Sequence, residues 1–81
     1  MEIYYPIIVE QDETGSYCVT APDIVGGVTC GDTKEDAIRM AKDMIKLMLK
    51  EAPEQCSPPT SFMRMMMDYP GKPFMMVKIE L

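Results

Sequence analysis

Histidine is missing from all 81 residues, and so is tryptophan. The first absence removes imidazole from every chemical role: no histidine general base, no Ser–His or Cys–His nucleophile, no histidine metal ligand. Cysteine is scarce and odd in number. Cys18, Cys30 and Cys56 are too scattered to suggest a cysteine-only zinc site. The opening MEIYYPIIVEQDE has neither the basic region nor the cleavage site of a secretory signal, so a reduced, cytoplasmic compartment is expected. No apolar run approaches the ~20 residues that span a bilayer, so no membrane partner is expected. Basic residues are absent from the first third. Residues 1–33 hold Glu2, Glu10, Asp12, Glu13, Asp23 and Asp32 with neither lysine nor arginine. Residues 34–51 carry +1 and residues 52–81 carry 0, so the net −5 originates in that first third. A nucleic-acid binder presents a basic stripe; this chain would repel phosphate there, and no direct nucleic-acid binding is expected. The acidic block is either a solvated surface that keeps a small protein soluble or a surface matched to a basic protein.

What is present describes one small domain. Apolar residues make up 47% and charged residues 26%, an ordinary globular balance. A chain this short buries only about 60–65% of its unfolded surface, so burial against another subunit would help it. Residues 3–10 are rich in β-branched and aromatic side chains and read as a strand. Pro6 cannot donate a ladder hydrogen bond, so its nitrogen should face no strand, or a bulge. QDETGS is a turn, residues 17–21 a second strand closing a hairpin, and residues 28–30 a short third strand. Thr33-Lys34-Glu35-Asp36 fits a capping box. Behind it, Ala37, Ala41, Met44, Ile45 and Met48 recur at helical spacing over 34–51, widened by Ile38, Met40, Leu47 and Leu49. Glu35 and Arg39 are placed for an i,i+4 ion pair, and Pro53 ends the helix. A short helical turn at 62–67, capped by Thr60 or Ser61, and a last strand at 74–81 complete the reading.

The order β-β-β-α-β predicts an α/β (α+β) fold. One main helix covers one face of a mostly antiparallel sheet, and a crossover lays the last strand parallel to a neighbour. Yet the first strand is apolar on both faces, with Tyr4 and Ile8 opposite Ile3, Tyr5, Ile7 and Val9. Phe74 and Met76 extend the second face. A sheet with one wet face alternates more cleanly. Either the 53–73 segment or a second subunit is therefore expected over Tyr4, Ile8, Phe74 and Met76, the second subunit being preferred, which predicts a homodimer or higher oligomer. The methionines of FMRMMMDYPGKPFMM suit either core gaps or an adaptable surface.

The stretch PDIVGGVTCGDTKEDA invites comparison with a phosphate loop and fails it. A Walker-type loop places Gly-Lys-Ser/Thr at the helix entry. Here Asp32-Thr33 follow Gly31, and Glu35 and Asp36 occupy the first turn, so the chain fills its own anion site. The stretch reads as the joint between sheet and helix.

Several of these pieces, in this order, resemble the HicB-type antitoxins of bacterial type II toxin–antitoxin systems. They are Tyr5-Pro6, the strand Ile7–Val9, the turn Asp12–Gly15, Tyr17–Thr20, Pro22-Asp23-Ile24-Val25-Gly26, Gly31-Asp32-Thr33, Glu35-Asp36 and Ala37. The likeness covers residues 4–49, with an echo at SPPTS and the last strand. Gly27 departs from the family, which commonly has cysteine there. The resemblance implies a partial ribonuclease H-like fold. It also implies binding to, and blocking of, a small basic mRNA-cleaving toxin, HicA-like, with a double-stranded-RNA-binding-like fold and a catalytic histidine. Many members add a C-terminal DNA-binding module; with the last strand read as residues 74–81, self-contained DNA binding is not expected of this chain.

Catalysis is not expected. Ribonuclease H-like enzymes converge strand carboxylates on two metal ions, and no acid sits mid-strand in Ile7–Val9, Tyr17–Thr20 or Val28–Cys30. No cofactor or metal is expected. The residues predicted to meet a basic partner are Asp12, Glu13, Asp23 and Asp32. Each also has a local reading: Asp12 and Glu13 as turn residues, Asp23 as an Asx-type turn former, Asp32 as a charge favouring the helix N-terminus. The alternative to the antitoxin is a stand-alone domain of the same fold, acting as a homo-oligomer or as a binding module for a small ligand or protein.

Overall fold

The computed structural model describes residues 1–81. The β-branched and aromatic opening forms β1 (Glu2–Gln11), which pairs antiparallel with β2 (Tyr17–Thr20), and β2 pairs antiparallel with β3 (Val28–Gly31). Helix α1 (Lys34–Glu51) follows, then a single 3₁₀ turn (Pro53–Gln55), helix α2 (Phe62–Asp68) and β4 (Phe74–Glu80). The sheet order is β3-β2-β1-β4. The fold is α/β, with a four-stranded sheet and two helices.

Direction is where the sequence reading failed. β4 runs antiparallel to β1, with Tyr5 opposite Val77 and Ile7 opposite Met75, so no pair in the sheet is parallel. A simple crossover would have delivered β4 parallel. Instead the chain recrosses the sheet a second time. α1 leaves from the end of β3, and the 53–73 segment returns to the end where β1 finishes, where Val9 N–H donates to Pro73 O at 2.9 Å.

Pro6 sits inside a central strand without breaking it. Val9 N–H turns towards β4, so by alternation the Pro6 nitrogen faces the β2 side. There β2 has already ended, since its pairing starts at Ile8–Thr20. Nothing on that side needs the missing donor.

α1 buries Ala37, Ala41 and Ile45 at i, i+4, i+8 against Tyr5, Ile7, Val9, Val19, Val77 and Ile79. Two alanines in its first half let the backbone approach the sheet closely. The apolar stripe is narrower than its periodicity suggested: Met40 and Leu47 are exposed. Thr33 Oγ1 accepts from Asp36 N at 3.1 Å, the hydroxyl half of the expected capping box. Arg39 pairs with Asp36 (3.5 Å) rather than with Glu35. Both Arg39 and Asp36 lie in solvent, so that pair contributes little.

The second face is covered in part by the same chain. Ser61 Oγ accepts from Arg64 N (3.2 Å) and starts α2, while Thr60 is engaged elsewhere. Met65 of α2 and Ile8 of β1 are buried, and the Phe62 and Phe74 rings stand 5.1 Å apart. Of the four residues assigned to an oligomer face, Ile8 is thus already removed from solvent, Phe74 and Met76 are half-buried, and Tyr4 is exposed. The 53–73 segment thus covers the strip around Ile8, while Tyr4, Phe74 and Met76 keep surface open to a second subunit. The methionines divide: Met65 fills the gap under α2, and Met63, Met66 and Met67 face solvent.

Candidate functional site

Strand register sorts the four predicted acids into two places. Gln11 pairs with Tyr17 and Tyr17 with Gly31, so the β1–β2 turn, the end of β3 and the start of α1 share one end of the sheet. Asp12, Glu13 and Asp32 lie at that end, as do Glu10, Glu35 and Asp36. Asp23 lies beyond Thr20 at the other end. The structure therefore gathers three of the four and separates the fourth.

Within the acidic end the carboxylates differ in how free they are. Asp12 Oδ1 accepts from Thr14 Oγ1 (2.7 Å), Thr14 N (2.9 Å) and Ser16 N (3.1 Å). These bonds, the Thr14 hydroxyl first, hold its carboxyl below the ordinary 3.8. A lowered folded-state pKa adds stability that is complete above the unfolded value and fades as pH falls through the folded one. The turn should therefore stay intact down to pH 3.8 and loosen below it. Amide chemical shifts of Thr14 and Ser16, followed through an acid titration, should show a midpoint under 3.8; one at or above 3.8 would deny Asp12 this role. Glu10 is bound to Lys72 at 3.0 Å across the strand ends. Glu13 and Asp32 are exposed and pair with no basic side chain of the chain.

Asp23 is committed internally, though not as an Asx turn. Its Oδ2 accepts from Thr60 N at 2.7 Å and its Oδ1 from Thr60 Oγ1 at 2.6 Å. Around it Ser57 N donates to Asp23 O, Val25 N to Gln55 O, and Ile24 bridges Cys56. Tyr5, buried beneath α1, donates its hydroxyl to Ser57 O at 2.8 Å. Burial first, then the Cys56 and Asp23 charges, push the Tyr5 phenol up. These bonds tie the PDIVGG loop to the 53–60 segment and set the course of the chain towards α2. Losing two hydrogen bonds to a carboxylate should cost about 2 kcal/mol in Asp23→Ala. A urea titration is expected to show that loss, and amide exchange should show residues 57–68 opening before the sheet; uniform opening would mean the staple does not hold the segment.

The glycines of the joint serve different needs. Gly26 has φ +71°, a conformation that side chains resist. Gly27 and Gly31 are selected by space. A Cβ at Gly27 would lie 2.9 Å from Ile24 Cβ and from Ile24 O, and one at Gly31 would lie 2.7 Å from Ala37 N. Position 27 is thus folded too tightly for any side chain.

The sequence reading did not foresee Thr60 and Ser57 as anchors, nor that Cys18 and Cys30 would face each other across β2 and β3. Counting would have found the last: positions 18 and 30 are equidistant from Ile24, so a hairpin centred on that residue pairs them.

The chemistry on offer is charge and shape. No three His, Cys, Asp or Glu side chains converge as a metal site would require. A depression of about 190 Å³ between α1 and β4 is lined by Lys42, Asp43, Lys46, Lys78, Ile79 and Glu80. A larger open groove of about 430 Å³ along α1 is lined by Glu35, Ile38, Arg39, Lys42 and Asp43. Both charged linings are unlike the enclosed apolar pocket that takes a small ligand. No helix is long and apolar enough to cross a membrane.

Comparison with known proteins points the same way as the residues. A family model described as HicB-like antitoxin of bacterial toxin–antitoxin systems matches residues 5–81. Antitoxin HicB 1 and Antitoxin HicB 2 of Photorhabdus laumondii are 46% and 49% identical to the chain over 41 residues. Those residues are 51% of this chain and only 26% and 29% of the two relatives. The crystal structure of the N-terminal domain of the Burkholderia pseudomallei antitoxin HicB superposes with a TM-score of 0.75 at 29% identity, covering 98% of this chain and 100% of that one. The longer Burkholderia HicB structure gives 0.73 at 29% identity, covering 98% of this chain and 63% of that one.

Proposed function

The chain belongs to the HicB-like antitoxins of bacterial toxin–antitoxin systems, and from that premise we propose that it binds and neutralises a small basic mRNA-cleaving toxin, HicA-like, through the acidic end of its sheet. The observation that carries this reading is the pair Glu13 and Asp32: exposed, in no salt bridge, and at the same end of the sheet as Asp12 by the strand register. Asp12 shapes the turn that presents Glu13. Asp23, fastened to Thr60, acts through the loop it holds and lies outside the encounter surface. An acidic surface accelerates encounter with a basic protein and repels RNA from the same contact. The working compartment under this reading is the cytoplasm, where mRNA is found.

The direct test is co-expression with the adjacent reading frame. The product should be small and basic, should co-purify with this chain, and should lose its toxicity in its presence. An adjacent product that is not basic, or that does not co-purify, would remove the proposal. The charge argument has its own test. Reversing both free acids, Glu13→Lys with Asp32→Lys, should slow association with the toxin about ten-fold at low salt while dissociation changes far less, and added salt should narrow the gap. An unchanged association rate would place the interface elsewhere.

A second reading is favoured by one observation: Phe62, Met63, Met66 and Met67 on α2 and Val28 on the edge strand β3 all stay exposed. Together with Tyr4 they offer apolar surface to a second copy of the chain. Light scattering at micromolar concentration separates the cases; a strict monomer would end the homo-oligomer reading and leave the toxin reading standing.

A further inference from the structure

Cys18 and Cys30 stand directly opposite one another on β2 and β3, and their Sγ atoms are 2.8 Å apart. Both are free thiols. On the same ladder Ala21 N–H donates to Gly27 O at 2.7 Å. Counting from that hydrogen-bonded pair, 20/28 is non-hydrogen-bonded, 19/29 hydrogen-bonded and 18/30 non-hydrogen-bonded. Non-hydrogen-bonded pairs bring their Cα atoms to about 4.5 Å and their side chains closest together. That separation lies inside the roughly 4.4–6.8 Å spanned by disulfides.

Two chemistries compete for such a dithiol, and distance decides between them. A tetrahedral zinc ion about 2.3 Å from each sulfur would hold the sulfurs roughly 3.7 Å apart. The thiols are much closer than that, and no third ligand completes a metal set. Bond formation needs the sulfurs to close to about 2.05 Å, a movement that small side-chain rotations supply.

We propose that Cys18 and Cys30 are a reversible dithiol–disulfide site whose co-reactant is a low-molecular-weight disulfide. Cys30, exposed on the edge strand, is the point of entry. Its thiolate attacks one sulfur of the small disulfide. That S–S bond breaks, and the released thiolate takes up the proton that Cys30 lost. Cys18 Sγ then attacks the Cys30 sulfur of the mixed disulfide, expelling the second small thiolate, which takes the proton from Cys18. The two protein thiols are oxidised, and the small disulfide is reduced to two thiols. Excess small thiol reverses both steps.

The surroundings favour this order. The Cys18 thiol is pushed up to about 11, first by its hydrogen bond with Cys30, then by burial, then by the Cys30, Asp12 and Glu10 charges. Capping Cys30 removes the first of these causes and the Cys30 charge together, so Cys18 ionises more readily when it is needed. Asp12 Oδ2, 4.0 Å from Cys18 Sγ, and Glu10 remain as the acids facing it. Cys56 is half-buried and turned to Ala52 O at 3.7 Å, apart from the pair. The site stands independently of toxin binding.

The test equilibrates the folded 81-residue chain with mixtures of oxidised and reduced glutathione, alkylates the remaining thiols and reads intact mass and peptides. At the oxidising end the count of free thiols should fall from three to one. The linked peptide should join Cys18 to Cys30, Cys56 should be alkylated, and excess reduced glutathione should restore all three. Cys18→Ser should stop at a glutathione adduct on Cys30. Three alkylatable thiols at the oxidising end, a bridge containing Cys56, or a bridge between two chains would overturn the proposal. The wild-type result decides this even if the variant fails to fold.

Discussion

Ile7→Ala is expected to remove about 3–5 kcal/mol of stability, the largest single loss this fold should show. Ile7 lies in the middle of β1, the strand with a partner on each side, and none of its surface is exposed. Its side chain enters the cluster made by Tyr5, Val9, Val19, Ala37, Ala41, Ile45 and Val77. Removing three carbons there forfeits both transfer energy and dispersion contacts, and a strand held by two ladders cannot collapse into the gap. For 81 residues the total is about 4–12 kcal/mol, so the loss is a quarter of the total or more and the urea midpoint should fall in proportion. Ile7→Val, which leaves a smaller void, should cost only about 1 kcal/mol. Urea denaturation of both variants checks the pair. A loss under about 1.5 kcal/mol in Ile7→Ala would mean that the two layers are not closely packed at this point.

The elements that were legible are those whose signals are local. The β-branched run of β1, the turn residues at Asp12–Gly15, the cap at Thr33 and the alanine stripe of α1 each depend on neighbours within a few positions, and each folded where its chemistry pointed. The direction of β4 was not legible. Nothing in Phe74–Glu80 encodes which way it runs; the direction follows from where residues 53–73 are carried. That route is set by contacts of long sequence separation: Tyr5 with Ser57, Asp23 with Thr60, Ile24 with Cys56. The same contacts explain why Asp23 read as one of four equivalent surface acids. Its partner is 37 positions away and carries no charge. Two-sided apolarity in β1 correctly demanded a cover, but the identity of the cover rests on whether seven residues of α2 suffice, a matter of area and not of pattern. The acidic end was legible as composition. Its assembly into one patch needed the register that aligns Gln11, Tyr17 and Gly31.

Gly31→Ala should rank next, at about 3 kcal/mol, the upper part of the range for overpacking. The joint between sheet and helix is tightest there. A methyl group would sit 2.7 Å from Ala37 N, 3.0 Å from Ala37 Cα and 3.2 Å from Asp36 C. All three are backbone atoms in the first turn of α1, so no side chain can rotate aside. Relief requires the helix to lift from β3, which would also uncover Ala37 and Ala41 and draw Asp32 away from the β1–β2 turn. Gly15→Ala supplies the contrast, since its Cβ would meet nothing within 4 Å while its φ of +91° disfavours any side chain. That change should cost about 1 kcal/mol, through backbone conformation alone. Urea midpoints of the two variants separate space from φ as the reason for glycine. Measured beside them, toxin binding should weaken in Gly31→Ala beyond what its unfolded fraction explains, because the end of the sheet that carries Asp32 is itself displaced. Equal stability losses in the two variants would show that the helix stands farther from β3 than these distances say.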